Sequence, residues 1–234
     1  MKLTIYVVLA TTMVLLSSCL NVFQPIIPAE KYIQDKRIEG NWKMKDVKIN
    51  ISEYSKSPLA SEKKYPMGST EKKSKKEIQD SISLFHKSYI LSFSDEKYSY
   101  YYHLQMMIRE NTQFVQLYPI VFSRTGAGEK IFDEENLPES RFNAFGTEGI
   151  MSTFSFGRLK IIDNNQLEFQ FIDGEKIKAL ILAGNMKTRY AFDRLYDNFL
   201  ITATTNELEK LVGKYGNNDE LYSKVNSYTF AKTQ

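Results

Sequence analysis

The sequence predicts a mainly β fold: an antiparallel sheet that closes on itself as an up-and-down barrel. Three observations carry this. Aromatic residues are abundant, with 15 Tyr and 15 Phe in 234 residues, and such side chains favour pleated, half-buried surfaces. From residue 88 onward apolar and polar residues alternate with a period of two, the mark of half-buried strands. Short turn sequences separate these runs, and sequential strands can remove their exposed edges by closing into a barrel; an open sheet packed on a helix, or a two-sheet sandwich, is the rival architecture. Composition agrees with a folded chain, at 42% hydrophobic and 25% charged residues. The formal charge of +3 is too weak for a nucleic-acid footprint. A single cysteine excludes an internal disulfide and any multi-cysteine metal or redox site, and His86 and His103 leave little for a histidine-rich one.

The elements follow in order. Lys2 precedes an uncharged, mostly apolar run from Leu3 to Leu16. A spanning helix needs about 20 such residues, so the run fits a signal segment better than a permanent span. Residues 20–30 contain Pro25 and Pro28 and read as an extended tether, part of a linker over 19–37. Residues 41–51 read as one strand whose inward face changes phase, which suggests a bulge near Asp46. Residues 53–77 are rich in Lys and Ser with interspersed Glu, and read as a solvated loop or a basic patch for anionic headgroups. Ile78, Ile82 and Phe85 fall at helical spacing, which predicts a helix over 71–86.

Strands are then expected from residue 88, over Tyr98–Ile108 and over Gln113–Val121. The Gly-containing stretch 123–149 is long for a compact domain and reads as a lid or as a surface excursion. A strand over 150–162, a turn at Asp163-Asn164-Asn165 and a strand through Leu167, Phe169 and Phe171 follow. Asp173-Gly174 is a two-residue hairpin signal, answered by a strand over Ile177–Leu182. Gly184-Asn185 turns into a further strand through Met186, Thr188, Tyr190 and Phe192. Thr204 and Glu207 fit a capping box opening a helix with Leu208, Leu211, Val212 and Tyr215 on one face and Gly216 at its end. Residues 225–231 complete a set of about nine strands and two helices.

Two resemblances attach to named residues. Leu16-Ser17-Ser18-Cys19 resembles the lipobox of bacterial lipoproteins: an aliphatic residue, two small ones, then cysteine. The resemblance implies cleavage of residues 1–18, diacylglycerol on the Cys19 thiol and acylation of the new amine. Leu20, where an aspartate would imply retention at the inner membrane, and the lack of an acidic cluster imply the outer membrane, facing the periplasm. The chain from 38 to 234 resembles the lipocalin family and its bacterial lipoprotein relatives. Gly40-Asn41-Trp42 stands where that family has its G-x-W motif, and Tyr190-Ala191-Phe192-Asp193-Arg194 where it has a late-strand arginine, followed by a helix and a last strand. The resemblance implies a lipocalin-like barrel with a helix after the first strand and a C-terminal helix, closed at one end by Trp42 and Arg194. A guanidinium on an indole face is worth about 0.5 to 2 kcal/mol.

No nucleophile elbow, metalloprotease, P-loop or dinucleotide motif is present. The expected protein is therefore not an enzyme and carries no cofactor. Its expected partners are a membrane, through Cys19, and a small apolar or amphipathic ligand, with Tyr100, Tyr102, Phe169, Phe171 and Tyr190 facing it. Cross-strand packing is the competing reading of the tyrosines. The rival function is a structural or interaction lipoprotein with a packed interior.

Overall fold

The computed structural model of the chain describes residues 22–45, 47–57, 87–94, 98–124, 154–195 and 198–233. Cys19 with its signal segment, the helix expected over 71–86 and most of the 123–149 stretch lie outside the described residues. Strands β1 (Gly40–Met44), β2 (Val47–Glu53), β3 (Tyr89–Ser94), β4 (Tyr98–Arg109), β5 (Thr112–Arg124), β6 (Ser155–Asp163) and β7 (Gln166–Ile172) follow one another around a closed antiparallel barrel. Between β7 and the last barrel strand come helix α1 (Gly174–Leu182), strands β8 (Tyr190–Asp193) and β9 (Asn198–Ile201), and helix α2 (Thr205–Tyr215). Strand β10 (Tyr222–Lys232) then pairs with both β7 and β1 and completes an eight-stranded barrel.

The hairpins explain the phase of the sequence. Met44 pairs with Val47, so the phase change expected as a bulge is a full reversal between two strands. Lys45 takes φ 52° at that turn. Arg109 pairs with Thr112, and both residues of the intervening turn, Glu110 (φ 50°) and Asn111 (φ 63°), are left-handed. That conformation matches the twist of two-residue hairpins.

The strand expected over Ile177–Leu182 is a helix. The Asp173 carboxylate accepts hydrogen bonds from the backbone N–H of Glu175 and Lys176, capping α1 in place of starting a β-turn. Ile177 and Ile181, four residues apart, are the buried face. With α1 leaving the barrel, β8 begins only at Tyr190 and pairs with β9 in a separate two-stranded sheet. The expected capping box is present, with Thr204 N–H and Oγ1 both 2.8 Å from a Glu207 carboxylate oxygen. That carboxyl is held down to about 2 by its hydrogen bond from Arg189 and by the cap itself.

The expected tether is part of the folded body from residue 22 onward. Val22 exchanges backbone hydrogen bonds with Phe154, Phe23 N–H donates to Ile201 O, and Ile33 N–H donates to Met106 O. Val22, Ile26, Ile27 and Tyr32 are buried. Pro25 and Pro28 predict an extended spacer; instead the apolar residues between and after them bury a strap against the sheet.

The fold therefore has two cores. One is the barrel interior, with Trp42, Ile49, Ile51, Leu91, Tyr102, Leu104, Met106, Val115, Leu159, Leu167, Phe169, Phe171 and Phe230. The other lies outside the sheet, where Met107, Phe114, Phe156, Ile172 and Tyr222 meet the strap, both helices and Ile201 of β9. A one-sided sheet would leave those outer positions wet; here the second layer covers them.

Candidate functional site

The candidate site is the barrel interior. Alternation along each strand sets it: Tyr102, Leu104 and Met106 on β4, Leu167, Phe169 and Phe171 on β7, and Phe230 on β10 belong to one cluster. Phe169 and Phe171 lie parallel with centroids 6.2 Å apart. Phe230 meets Phe169 edge-on at 6.0 Å, and Tyr228 leans on Phe171 at 6.2 Å. These offsets suit ring quadrupoles and give the interior an aromatic wall with phenol groups among the rings.

One end is closed from below. A 3-10 turn, Lys36–Ile38, brings the fully buried Ile38 into the interior cluster. The Trp42 indole N–H donates to Ile38 O at 2.8 Å, so the single tryptophan is fixed by its own N-terminal approach. Asp35 caps the turn: it accepts from Arg37 N, Nε and Nη2 and from Gln113 Nε2. The Arg37 guanidinium, outweighing partial burial, holds the Asp35 carboxyl down to about 2.

The cation beside Trp42 is Lys232, whose Nζ lies 5.1 Å from the ring centroid. Arg194 does not take that place. It is exposed in the turn after β8, a strand that never joins the barrel. The register explains the exchange, because Trp42 pairs directly with Lys232 on β10. Gly40, at φ 128°, sits under the same chain: a Cβ there would stand 3.2 Å from Lys232 Cε. The signal for Lys232 was present in the alternation of Tyr228, Phe230 and residue 232 along the last strand.

Of the expected lining residues, Tyr102, Phe169 and Phe171 are inside and buried. Tyr100, on β4, pairs with Phe93 of β3 and Phe122 of β5, and its side chain lies outside the described residues. Tyr190 is not a lining residue. It is 42% exposed on β8, stacked on Phe199 at 5.2 Å outside the barrel.

Polar groups at outward positions, Gln105, Gln116 and His103 among them, are buried on the outer face. Gln116 accepts from Ile26 N and Ile27 N, both at 2.8 Å, and donates to Gln105 Oε1 at 2.7 Å and Tyr32 OH at 3.3 Å. Burial pushes the Tyr32 phenol up to about 12, against the hydrogen bond from Gln116. His103 stacks on Tyr54 at 5.5 Å with Ser88 Oγ 3.5 Å from its Nδ1, and burial lowers it to about 4. Among the described residues no group of three or more His, Cys, Asp or Glu is placed to hold a metal ion. The described interior offers shape and apolar surface. No known protein family, curated protein or solved structure matches the chain.

Proposed function

We propose that this is a bacterial lipoprotein held at the outer membrane by Cys19, whose lipocalin-like barrel takes a small apolar or amphipathic molecule. The observation that carries the binding half is the closed barrel itself: its described interior is apolar and aromatic, and Ile38 and Trp42 stop one end. A barrel of eight strands has room for side chains alone or for one small ligand. The anchoring half rests on the Leu16–Cys19 pattern. Several acyl chains on one residue, at about 0.8 kcal/mol per buried CH2, hold a domain to a bilayer.

Native mass spectrometry of the full chain, released from membranes in mild detergent and offered envelope lipid extracts, tests the binding. Capture of a defined small molecule, reduced by Phe171→Ala or Tyr102→Ala, supports it; an interior that captures nothing sinks it. For the anchor, Cys19→Ala must abolish labelling by radioactive palmitate and release the protein from membranes.

The second reading, a solid barrel acting through its outer surface, is favoured by one observation. Leu104, Met106, Val115 and Leu167 are fully buried, so that part of the interior is already filled by side chains. An empty mass-spectrometric result would select it.

A further inference from the structure

We infer that the β8–β9 hairpin, with Phe23 of the strap and Leu182 at the end of α1, is a membrane-contact face that lies on the bilayer to which Cys19 is anchored. The inference rests on the lipid anchor proposed above. It adds which side of the domain meets the lipid and which end of the barrel points at it.

The first argument is reach. Cys19 stands three positions before Val22. Even fully extended, three residues span about 10 to 11 Å, a little more than the depth of one headgroup layer. Val22 itself is pinned: its N–H donates to Phe154 O at 3.2 Å, and Phe154 N–H returns a bond to its carbonyl at 2.8 Å. On its other side Val22 bridges Ile201 in parallel, and Phe23 N–H donates to Ile201 O at 3.0 Å. A domain fastened this close to its anchor cannot stand off the membrane, and β9 is the strand beside the fastening point.

The second argument is the chemistry of what lies there. Six large hydrophobic residues are exposed among the described residues: Phe23, Ile108, Ile162, Leu182, Tyr190 and Leu195. Four belong to this one module. Phe23 is bonded to β9, and Tyr190 pairs with Ile201 across the hairpin. Leu195 is 80% exposed in the turn, where Asp193 accepts its N–H at 2.9 Å. Leu182 ends the helix whose Lys178 reaches the Phe192 ring of β8 at 5.3 Å. The exposed Arg194 and Lys187 flank them. An apolar tip with a long cationic neighbour that can snorkel is the pattern of interfacial docking.

The orientation follows from topology. Strict antiparallel order puts the start of β6, beside Phe154, at the opposite end of the barrel from the start of β1 and its Ile38 plug. The plugged end therefore points away from the bilayer, and the other end points towards it.

The test uses the full chain made in a bacterium that processes lipoproteins. Acylation consumes the Cys19 thiol, so Leu195→Cys supplies a single site for an environment-sensitive dye, and Ile162→Cys, at the far end of β6, the control. The labelled proteins are placed in phosphatidylethanolamine–phosphatidylglycerol vesicles with and without brominated acyl chains. At an interfacial depth of about 5 to 10 Å, the dye at 195 should be quenched about twofold or more, and the dye at 162 not at all. Phe23→Cys repeats the measurement should the 195 site label poorly. Protein that floats with the vesicles but shows no quenching at 195, or equal quenching at both sites, overturns the docking face and leaves the anchor standing. Protein that does not float with the vesicles overturns the anchor and the docking face together. A detergent-solubilised dimer that Leu195→Asp dissolves assigns the face to a second copy and also overturns the proposal.

Discussion

Replacing Gln116 by Leu removes one side chain that serves three close neighbours and, at 3.3 Å, the Tyr32 hydroxyl. Its Oε1 takes the N–H groups of Ile26 and Ile27, and its Nε2 serves Gln105 Oε1, all at 2.7–2.8 Å. Gln116 is fully buried, so water cannot replace it while the strap stays in place. Each buried group left without a partner costs about 1 to 3 kcal/mol, which puts Gln116→Leu, with three such groups, at about 3 to 9 kcal/mol. The strap has an escape: it can peel off and let its amides meet water. That exposes Val22, Ile26 and Ile27, each worth about 1.5 to 3 kcal/mol of burial, so peeling is no cheaper. Whole domains are stable by about 5 to 15 kcal/mol, so the change is large on that scale.

The assay is urea unfolding of wild type and variant, with hydrogen exchange on the peptide that spans residues 22–33. The expected result is a lower midpoint and lost protection at Ile26 and Ile27. Gln105→Leu in the Gln116→Leu background should cost less than Gln105→Leu alone, because the acceptor it removes is already orphaned. A Gln116→Leu protein within about 1 kcal/mol of wild type, with its strap amides still protected, would refute the reasoning.

The remaining predictions concern the barrel and its outer face. Lys232→Ala should shift Trp42 emission and lower stability by about 0.5 to 1 kcal/mol, while Arg194→Ala leaves both unchanged; the reverse result would restore Arg194 as the closing cation. Gly157→Ala should destabilise by several kcal/mol in urea titration, or prevent folding, because its Cβ would stand 2.5 Å from the Gln170 carbonyl oxygen and 3.0 Å from Phe171 Cα; a neutral result would mean that β6 and β7 separate easily. His103 should titrate near 4 by NMR. Its folded value lies below the unfolded one near 6.5, so the unfolded chain binds more protons between them. Stability should fall by about 3 kcal/mol as pH drops from 6.5 to 4, and His103→Phe should flatten that slope; a His103 titrating near 6.5 contradicts its burial.

The sequence yielded the barrel because period-two alternation is a local signal, repeated strand after strand. Leu167, Phe169 and Phe171 could be placed inside from alternation alone, and the capping box at Thr204 and Glu207 was legible from its own three-residue spacing. Three features were not local. Asp173 is equally good at starting a hairpin turn and at capping a helix, and only the outer core, which takes Ile177 and Ile181 four residues apart, decides between them. The change of face between Met44 and Val47 looks the same in one dimension whether the strand bulges or turns back. The partner of Trp42 depends on which strand closes the barrel, and that was set by the departure of α1 and β8 from the sheet. Buried Gln116 was unreadable for a related reason: a glutamine at an outward position signals solvent until a second layer covers it.

That second layer bears on how the interior can be used. Side chains that line a binding cavity give up contacts with one another, so a ligand-binding barrel must draw stability from elsewhere. Here the outer core joins the strap, both helices and the outward residues of five barrel strands, independently of the interior cluster. It is also cross-braced by charge: Lys31 of the strap pairs with Glu209 on α2, and Arg158 pairs with Asp219 while lying 3.7 Å over the Tyr222 ring. Trimming Phe169 or Phe171 to Ala removes interior packing at about 3 to 5 kcal/mol, while leaving the outer core intact. Trimming Phe114 or Ile177 attacks the layer that holds the barrel shut from outside. If the interior is a binding space, the first pair of variants alters ligand capture while the chain remains folded, and the second pair unfolds it with or without ligand. Equal unfolding by both pairs is the behaviour of a solid barrel whose two cores act as one.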